Sequence, residues 1–211
     1  FDMDGVIIDS EPLHYEVNQE IFRELDINIS DEEYNTFIGV SNPEMWTEIK
    51  KKYNINKSVE ELTKIQKNKN IEYLKQSNIN PIPGVVNLLH KSVENNISTA
   101  LASSSPMELI RLVLHKFAIK NYFDKIETGE NVSEGKPAPD IFIKVANYLK
   151  IEPENIAVIE DSFNGIMAAN KAGMKCVGYI NQNSGNQDLS QADLVVTNLK
   201  NININRIKEL F

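Results

Sequence analysis

"FDMDGVIIDSEPLH", residues 1–14, sets Asp2 and Asp4 one residue apart beside the apolar run Val6, Ile7 and Ile8. The stretch reads as the end of a buried strand that carries two charges, with Gly5 supplying a turn directly behind them. Residues i and i+2 of a strand share a face, and where the strand ends a short loop can aim both carboxylates at one point. A lone D-x-D pair is ordinarily a turn cap beside a solvated acid, so its meaning rests on what the rest of the chain brings to the same place. The chain begins without methionine at this strand end, and a few further residues are expected before Phe1.

From residue 84 onward helical and strand patterns alternate. "GVVNLLHKSVENN" has apolar residues at Val85, Leu88, Leu89 and Val93 and leads into "ISTALA". "MELIRLVLHKFAI" leads to "KIET", "DIFIKVANYLK" to "IAVIE" and "SFNGIMAANKAG" to "KCVGYI", with "ADLVV" as one more strand. Short strands separated by helices of this length predict right-handed crossovers and a parallel sheet covered on both faces. Residues 12–82 carry helical segments, "EVNQEIFREL", "PEMWTEIKKKY" and "SVEELTKIQKNKNIEYLKQ", with no convincing strand between them, and "NINPIPG" reads as a return linker. The expected fold class is α/β: a Rossmann-like parallel-sheet core formed by residues 1–11 and 83–211, interrupted by a helical bundle at 12–82.

Composition narrows the function. The 211 residues carry 22 Lys and Arg against 30 Asp and Glu, a net charge of −8, which excludes nucleic acid or an anionic membrane surface held by general electrostatics. The single cysteine, Cys176, lies in an apolar strand pattern and reads as a core residue in a reducing compartment. No run approaches the roughly 18 apolar residues of a membrane span. A cytoplasmic protein acting on a small molecule, as a monomer or weak oligomer, is expected.

Three further strand ends carry polar groups. "SSS" at 103–105 follows "ISTALA", and its hydroxyls and N–H groups, Ser103 and Ser104 first, suit a phosphate oxygen at a helix start. "EGKPAPDIF" sets Lys136 between a glycine and a proline before a helix, and Glu160, Asp161 and Ser162 follow "IAVI". Each has a bland reading as a cap or a solvated loop residue. Ligands of open parallel sheets bind beyond the carboxyl ends of the strands, so one site explains all four places together. Clustered carboxylates repel, a hard divalent cation relieves them, and Mg²⁺ is the natural choice. With that cation and Lys136 neutralising charge, a phosphate dianion can approach an aspartate nucleophile.

"DMDGVIID", "LASSS", "GKPAPDIF" and "IEDSFNGI", in this order and spacing, resemble the four motifs of the haloacid dehalogenase superfamily, and the helical block resembles its C1-type cap. By motif the chain is most similar to the β-phosphoglucomutase-like phosphatases. The resemblance implies Asp2 as the nucleophile that forms an aspartyl-phosphate and Asp4 as general acid and base. It implies Ser103 as a phosphoryl ligand and Lys136 as the charge stabiliser. Mg²⁺ would be held by Asp2, Asp161 and the Asp4 backbone carbonyl, with Glu160 joining directly or through water.

Within that branch the sequence departs from the mutases. "IGVSNPEM" keeps Gly39, Val40 and Ser41, but Asn42 stands where the resemblance implies a phosphate-clamping arginine. Pro106 and Met107 stand where the resemblance implies a lysine and an asparagine that touch the sugar phosphate. Arginine binds phosphate bidentately and asparagine cannot replace it. The expected activity is therefore hydrolysis of a small phosphomonoester, with a β-phosphoglucomutase-type mutase as the alternative and a phosphoacceptor signalling domain behind it. His14 is either a substrate-facing residue or an ordinary first-turn histidine. Lys69 is expected on a solvated face, and Trp46 and Met45 in cap packing.

Overall fold

The computed structural model describes all 211 residues. The chain divides into two compact units, one formed by Phe1–Asp9 with Ile79–Phe211 and the other by Ser10–Asn78. No helix is long and apolar enough to cross a membrane.

In the first unit, β1 (Ala100–Ser103) pairs in parallel with β2 (Lys125–Thr128), and β3 (Ala157–Glu160) with β4 (Lys175–Tyr179), which pairs in turn with β5 (Leu194–Val196). The two ladders are bridged by the amino-terminal residues. Phe1 exchanges hydrogen bonds with β1, its N to Ala100 O at 2.8 Å and its O from Ala102 N at 2.9 Å, while Asp2 N donates to Ile159 O of β3 at 3.0 Å. Counted through this segment, the order is β2, β1, residues 1–2, β3, β4, β5. The direction of winding reverses at the amino-terminal segment, where open α/β sheets place their ligands.

The strand expected through Ile8 ends sooner than the sequence suggested. Val6, Ile7 and Ile8 form a buried turn in which Ile7 N and Ile8 N fold back onto Met3 O at 2.8 and 3.1 Å. A continuous apolar run does not distinguish a strand from a buried turn, and Gly5 at φ +77° decides for the turn. Ile8 then bridges Pro81, and Ile82 N donates to Ile7 O at 2.9 Å. Residues 79–82, read from sequence as the tail of the helical block, are thereby tied to the sheet unit.

Alternate strand residues point to opposite faces. Ala100, Ala102, Val158 and Cys176 pack with Ile141, Phe142 and Val145 of α7 (Asp140–Leu149) and Ile166 and Ala169 of α8 (Phe163–Lys171). Leu101, Ile159 and Val177, on the other face, are equally buried. Helices α5 (Val85–Glu94) and α6 (Met107–Lys116) complete the crossovers, and a short α9 (Ile204–Lys208) follows β5.

The second unit contains α1 (Glu11–Glu24), a short α2 (Asp31–Asn35), α3 (Asn42–Tyr53) and α4 (Val59–Gln76). Its core is not purely apolar. Trp46 is fully buried and its Nε1 donates to Gln66 Oε1 at 2.9 Å, Gln66 Nε2 to Asn18 Oδ1 at 2.9 Å, and Asn18 Nδ2 to the Tyr34 hydroxyl at 3.0 Å. This chain stitches all four helices. Lys69 is not on a solvated face: it is only 18% exposed, and its ammonium pairs with Glu20 at 2.5 Å and Glu24 at 2.9 Å.

Gln66→Ala leaves the Trp46 N–H and the Asn18 carbonyl buried without their partner, a loss of about 1–3 kcal/mol in stability. Because Trp46 is the single tryptophan, urea unfolding followed by its fluorescence reads this unit directly. A midpoint unchanged from the parent would contradict the network's role.

Candidate active site

The carboxyl ends of the strands and the amino-terminal turn gather six of the expected residues. Lys136 is at the centre, its side chain 7% exposed, with its ammonium 2.6 Å from Asp2 Oδ1, 2.7 Å from Glu160 Oε1 and 3.3 Å from Ala102 O. Phe142 lies beneath it, with the ring centroid 5.0 Å from Nζ. Burial works against the lysine charge, but Asp2 and Glu160 outweigh it and hold the ammonium above its ordinary value.

Glu160 is fully engaged. Its Oε2 accepts from Asp161 N, Ser162 N and the Ser162 hydroxyl at 2.8, 2.9 and 2.9 Å, while Oε1 accepts from Lys136. The carboxylate lies on the first turn of α8 so closely that a Cβ on Gly165 would stand 1.7 Å from Oε1. Ser162 caps the same helix by accepting from Gly165 N at 3.0 Å. Glu160 thus acts as a brace between Lys136 and the helix start.

Asp4 faces the serine loop. Its Oδ2 accepts from the Ser105 hydroxyl at 2.6 Å and, more loosely, from Ser103 at 3.4 Å. Ser103 Oγ also accepts from Ser105 N at 3.0 Å, and Thr128 at the end of β2 donates to Ser105 O at 2.7 Å. Ser104 is exposed at the tip of the loop. Reading the sequence singled out Ser103 and missed Ser105, the tighter partner of Asp4; three consecutive serines carry no signal that separates them.

Asp161 lies against the amino-terminal turn, where a Cβ on Gly5 would stand 1.8 Å from Asp161 Oδ2. Only glycine accommodates both that approach and the positive φ. The Ser184 hydroxyl donates to Asp161 Oδ2. Ser184 belongs to "NQNSG", residues 181–185, after β4. The strand-end rule that marks the other residues applies equally to it.

Burial pushes the Asp2 carboxyl up to about 7, with Glu160 and Asp4 adding repulsion and Lys136 opposing both. Burial, then Glu160 and Asp2, push Asp161 well above the usual carboxylate range. One ammonium does not balance this many buried acids, and a hard cation between Asp2 and Asp161 fits that deficit. The side chains do not form a complete cage, since no three His, Cys, Asp or Glu groups converge as metal ligands. Two carboxylates and a backbone carbonyl suit Mg²⁺, which keeps several waters.

The remaining expected residues belong to the helical unit. Gly39, at φ +82°, and Val40 form the turn before α3, and Asn42 is the first residue of that helix. His14 is on α1, its Nδ1 3.3 Å from Asn70 Oδ1. A depression of about 550 Å³ on this unit is lined by Thr47, Lys50, Lys51, Asn54 and Ile55. It is a surface dish without acidic groups, and the Lys50 ammonium there is taken by the carbonyls of Ile55 and Lys57 at 2.7 and 2.8 Å.

A family model described as haloacid dehalogenase-like hydrolase matches residues 1–179. The chain belongs to that family. Among haloacid dehalogenase-like relatives, a phosphorylated carbohydrates phosphatase of Thermotoga maritima is 29% identical over 215 residues, covering 100% of this chain and 97% of that protein. A beta-phosphoglucomutase of Bacillus subtilis is 33% identical over 218 residues, covering 99% and 92%. The crystal structure of a beta-phosphoglucomutase from Clostridium difficile matches with a TM-score of 0.85 at 29% identity, covering 100% and 94%. Both enzyme types therefore share this haloacid dehalogenase-like fold with the chain.

Removing the central ammonium leaves two buried carboxylates facing each other. Lys136→Met is expected to lower the stability of the haloacid dehalogenase-like core by about 3–5 kcal/mol, read as a shift of the denaturant midpoint in far-ultraviolet circular dichroism. A shift below about 1 kcal/mol would mean that Lys136 does not hold the cluster together.

Proposed function

We propose that the protein is a Mg²⁺-dependent phosphatase that hydrolyses a small phosphorylated metabolite, a sugar phosphate or a similar monoester, through an aspartyl-phosphate on Asp2. The observation that carries this reading is the Lys136 ammonium bonded at once to Asp2 and Glu160 beside the Asp4–serine contact. It is supported by the likeness to a phosphatase of phosphorylated carbohydrates over the full chain.

Asp2 attacks phosphorus with one carboxylate oxygen while the other is held by Lys136, which orients the attacking group and opposes the rise that burial gives its carboxyl. Asp4, fixed by Ser105, gives its proton to the leaving oxygen and then takes one from the water that hydrolyses the aspartyl-phosphate. Ser103 and Ser104 hold a phosphoryl oxygen, with the Ser103 hydroxyl exchanging its loose contact with Asp4 for the substrate. Lys136 stabilises charge on the transferred group. Asp2, Asp161 and the Asp4 carbonyl would hold Mg²⁺, which supplies electrostatic stabilisation of the phosphoryl oxygens. Glu160, whose oxygens accept from Lys136 and the α8 turn, would join that cation directly or through water.

The mutase alternative is favoured by the likeness to beta-phosphoglucomutases. Against it, a mutase must hold two phosphates, and the resemblance implies for the second an arginine at the position Asn42 occupies, the first residue of α3. Asn42 carries no charge there, and the Ser41 N–H and hydroxyl donate to the Glu44 carboxylate at 3.3 and 2.7 Å. An acid placed at a helix start repels an anion. In the phosphatase reading Gly39, Val40, Asn42 and His14 contribute to substrate selection.

Phosphate release from a panel of sugar phosphates is expected to vanish in Asp2→Asn and to fall by about 10²–10⁴ in Asp4→Asn. Full activity in Asp2→Asn would remove the nucleophile assignment. Chelation with EDTA is expected to stop release and added MgCl₂ to restore it. With β-glucose 1-phosphate, conversion to the 6-phosphate without net phosphate release would instead establish the mutase.

A further inference from the structure

The loop leaving β4 is fastened more firmly than a connection to β5 requires. Asn181 and Ser184 are buried, at 8% and 4% exposure. Asn181 Nδ2 donates to Gly5 O at 3.1 Å and Asp9 Oδ1 at 3.3 Å, and its Oδ1 accepts from Asn183 N at 2.9 Å. Asn183 Nδ2 donates to Asp9 Oδ2 at 2.6 Å. Gln187 joins the loop to the start of α8, with Nε2 donating to Ser184 O and Oε1 accepting from Phe163 N, both at 3.0 Å. Between these anchors the Ser184 hydroxyl donates to Asp161 Oδ2.

We propose that Ser184 is a positioning residue that sets the affinity of the site for a divalent cation by holding the Asp161 carboxylate in one orientation against the Asp4–Gly5 turn. An aspartate carboxylate rotates broadly about its last torsion. Asp161 also sits among other acids that repel it. A hydroxyl that takes Oδ2 stops that rotation and leaves the other oxygen as a single, directed ligand, which suits the strict octahedral demand of Mg²⁺. Asn181 gives the same loop a hold on the Gly5 carbonyl, so one element fixes Asp161 and the turn that Asp161 faces. The inference rests on the cation site proposed above, and the experiment separates the two.

Binding of Mn²⁺, used as a Mg²⁺ stand-in, is measured on the full chain without substrate by the EPR signal of the free ion. Ser184→Ala is expected to weaken binding about tenfold, the lower end for loss of an outer hydrogen bond to a metal ligand. Ser184→Thr, which keeps the hydroxyl, is expected to restore it, and circular dichroism confirms that each variant is folded at the titration temperature. Asp161→Asn serves as the reference for loss of the site. If Asp161→Asn abolishes binding while Ser184→Ala binds as the parent does, the positioning role is wrong and the cation site stands. If Asp161→Asn binds as the parent does, both fall.

Discussion

The buried ammonium of Lys136 between Asp2 and Glu160 is the interaction on which the rest of the site depends. It joins three pieces of chain more than a hundred residues apart in part, at the point where the sheet reverses its winding. Without a cation there, Asp2 and Glu160 would face each other in a nearly dry environment, where like charges are costly. With it, Asp2 is held at a defined angle and Glu160 is locked onto the first turn of α8. The glycines follow from the same crowding: Gly5 leaves room for Asp161 and Gly165 for Glu160.

In the proposed mechanism the two aspartates differ through their neighbours. Asp2 is bonded to an ammonium, which opposes the rise that burial gives its carboxyl. Asp4 is bonded to hydroxyls of the serine loop, which are neutral partners. Two carboxylates one residue apart thereby receive different environments, one against Lys136 and the other against the serine loop after β1.

Much of this was legible in the sequence. The alternation of helical and strand periods from residue 84 located β1 to β5 and α5 to α8, because the strands are short, mostly apolar apart from β2, and lie between helices of regular period. Lys136 and the Glu160–Asp161 pair were found by the same logic. What escaped was local. Val6 to Ile8 looked like strand because a buried turn and a buried strand share a composition, and α2 and α9, each of five residues, are too short to show a period. Ser105 could not be told from Ser103, and Lys69 looked solvated because its partners, Glu20 and Glu24, are some 45 to 49 residues away in sequence. Ser184 was within reach of the strand-end rule.

In the proposed mechanism Asp2, and not Asp4, carries the phosphoryl group. Acid quenching during turnover of a small phosphomonoester, followed by borohydride reduction and peptide mass spectrometry, converts a carboxylate that bears phosphate into homoserine. Homoserine at position 2 and intact aspartate at position 4 are expected. Homoserine at position 4, or two intact aspartates in an enzyme that is turning over, would contradict that mechanism.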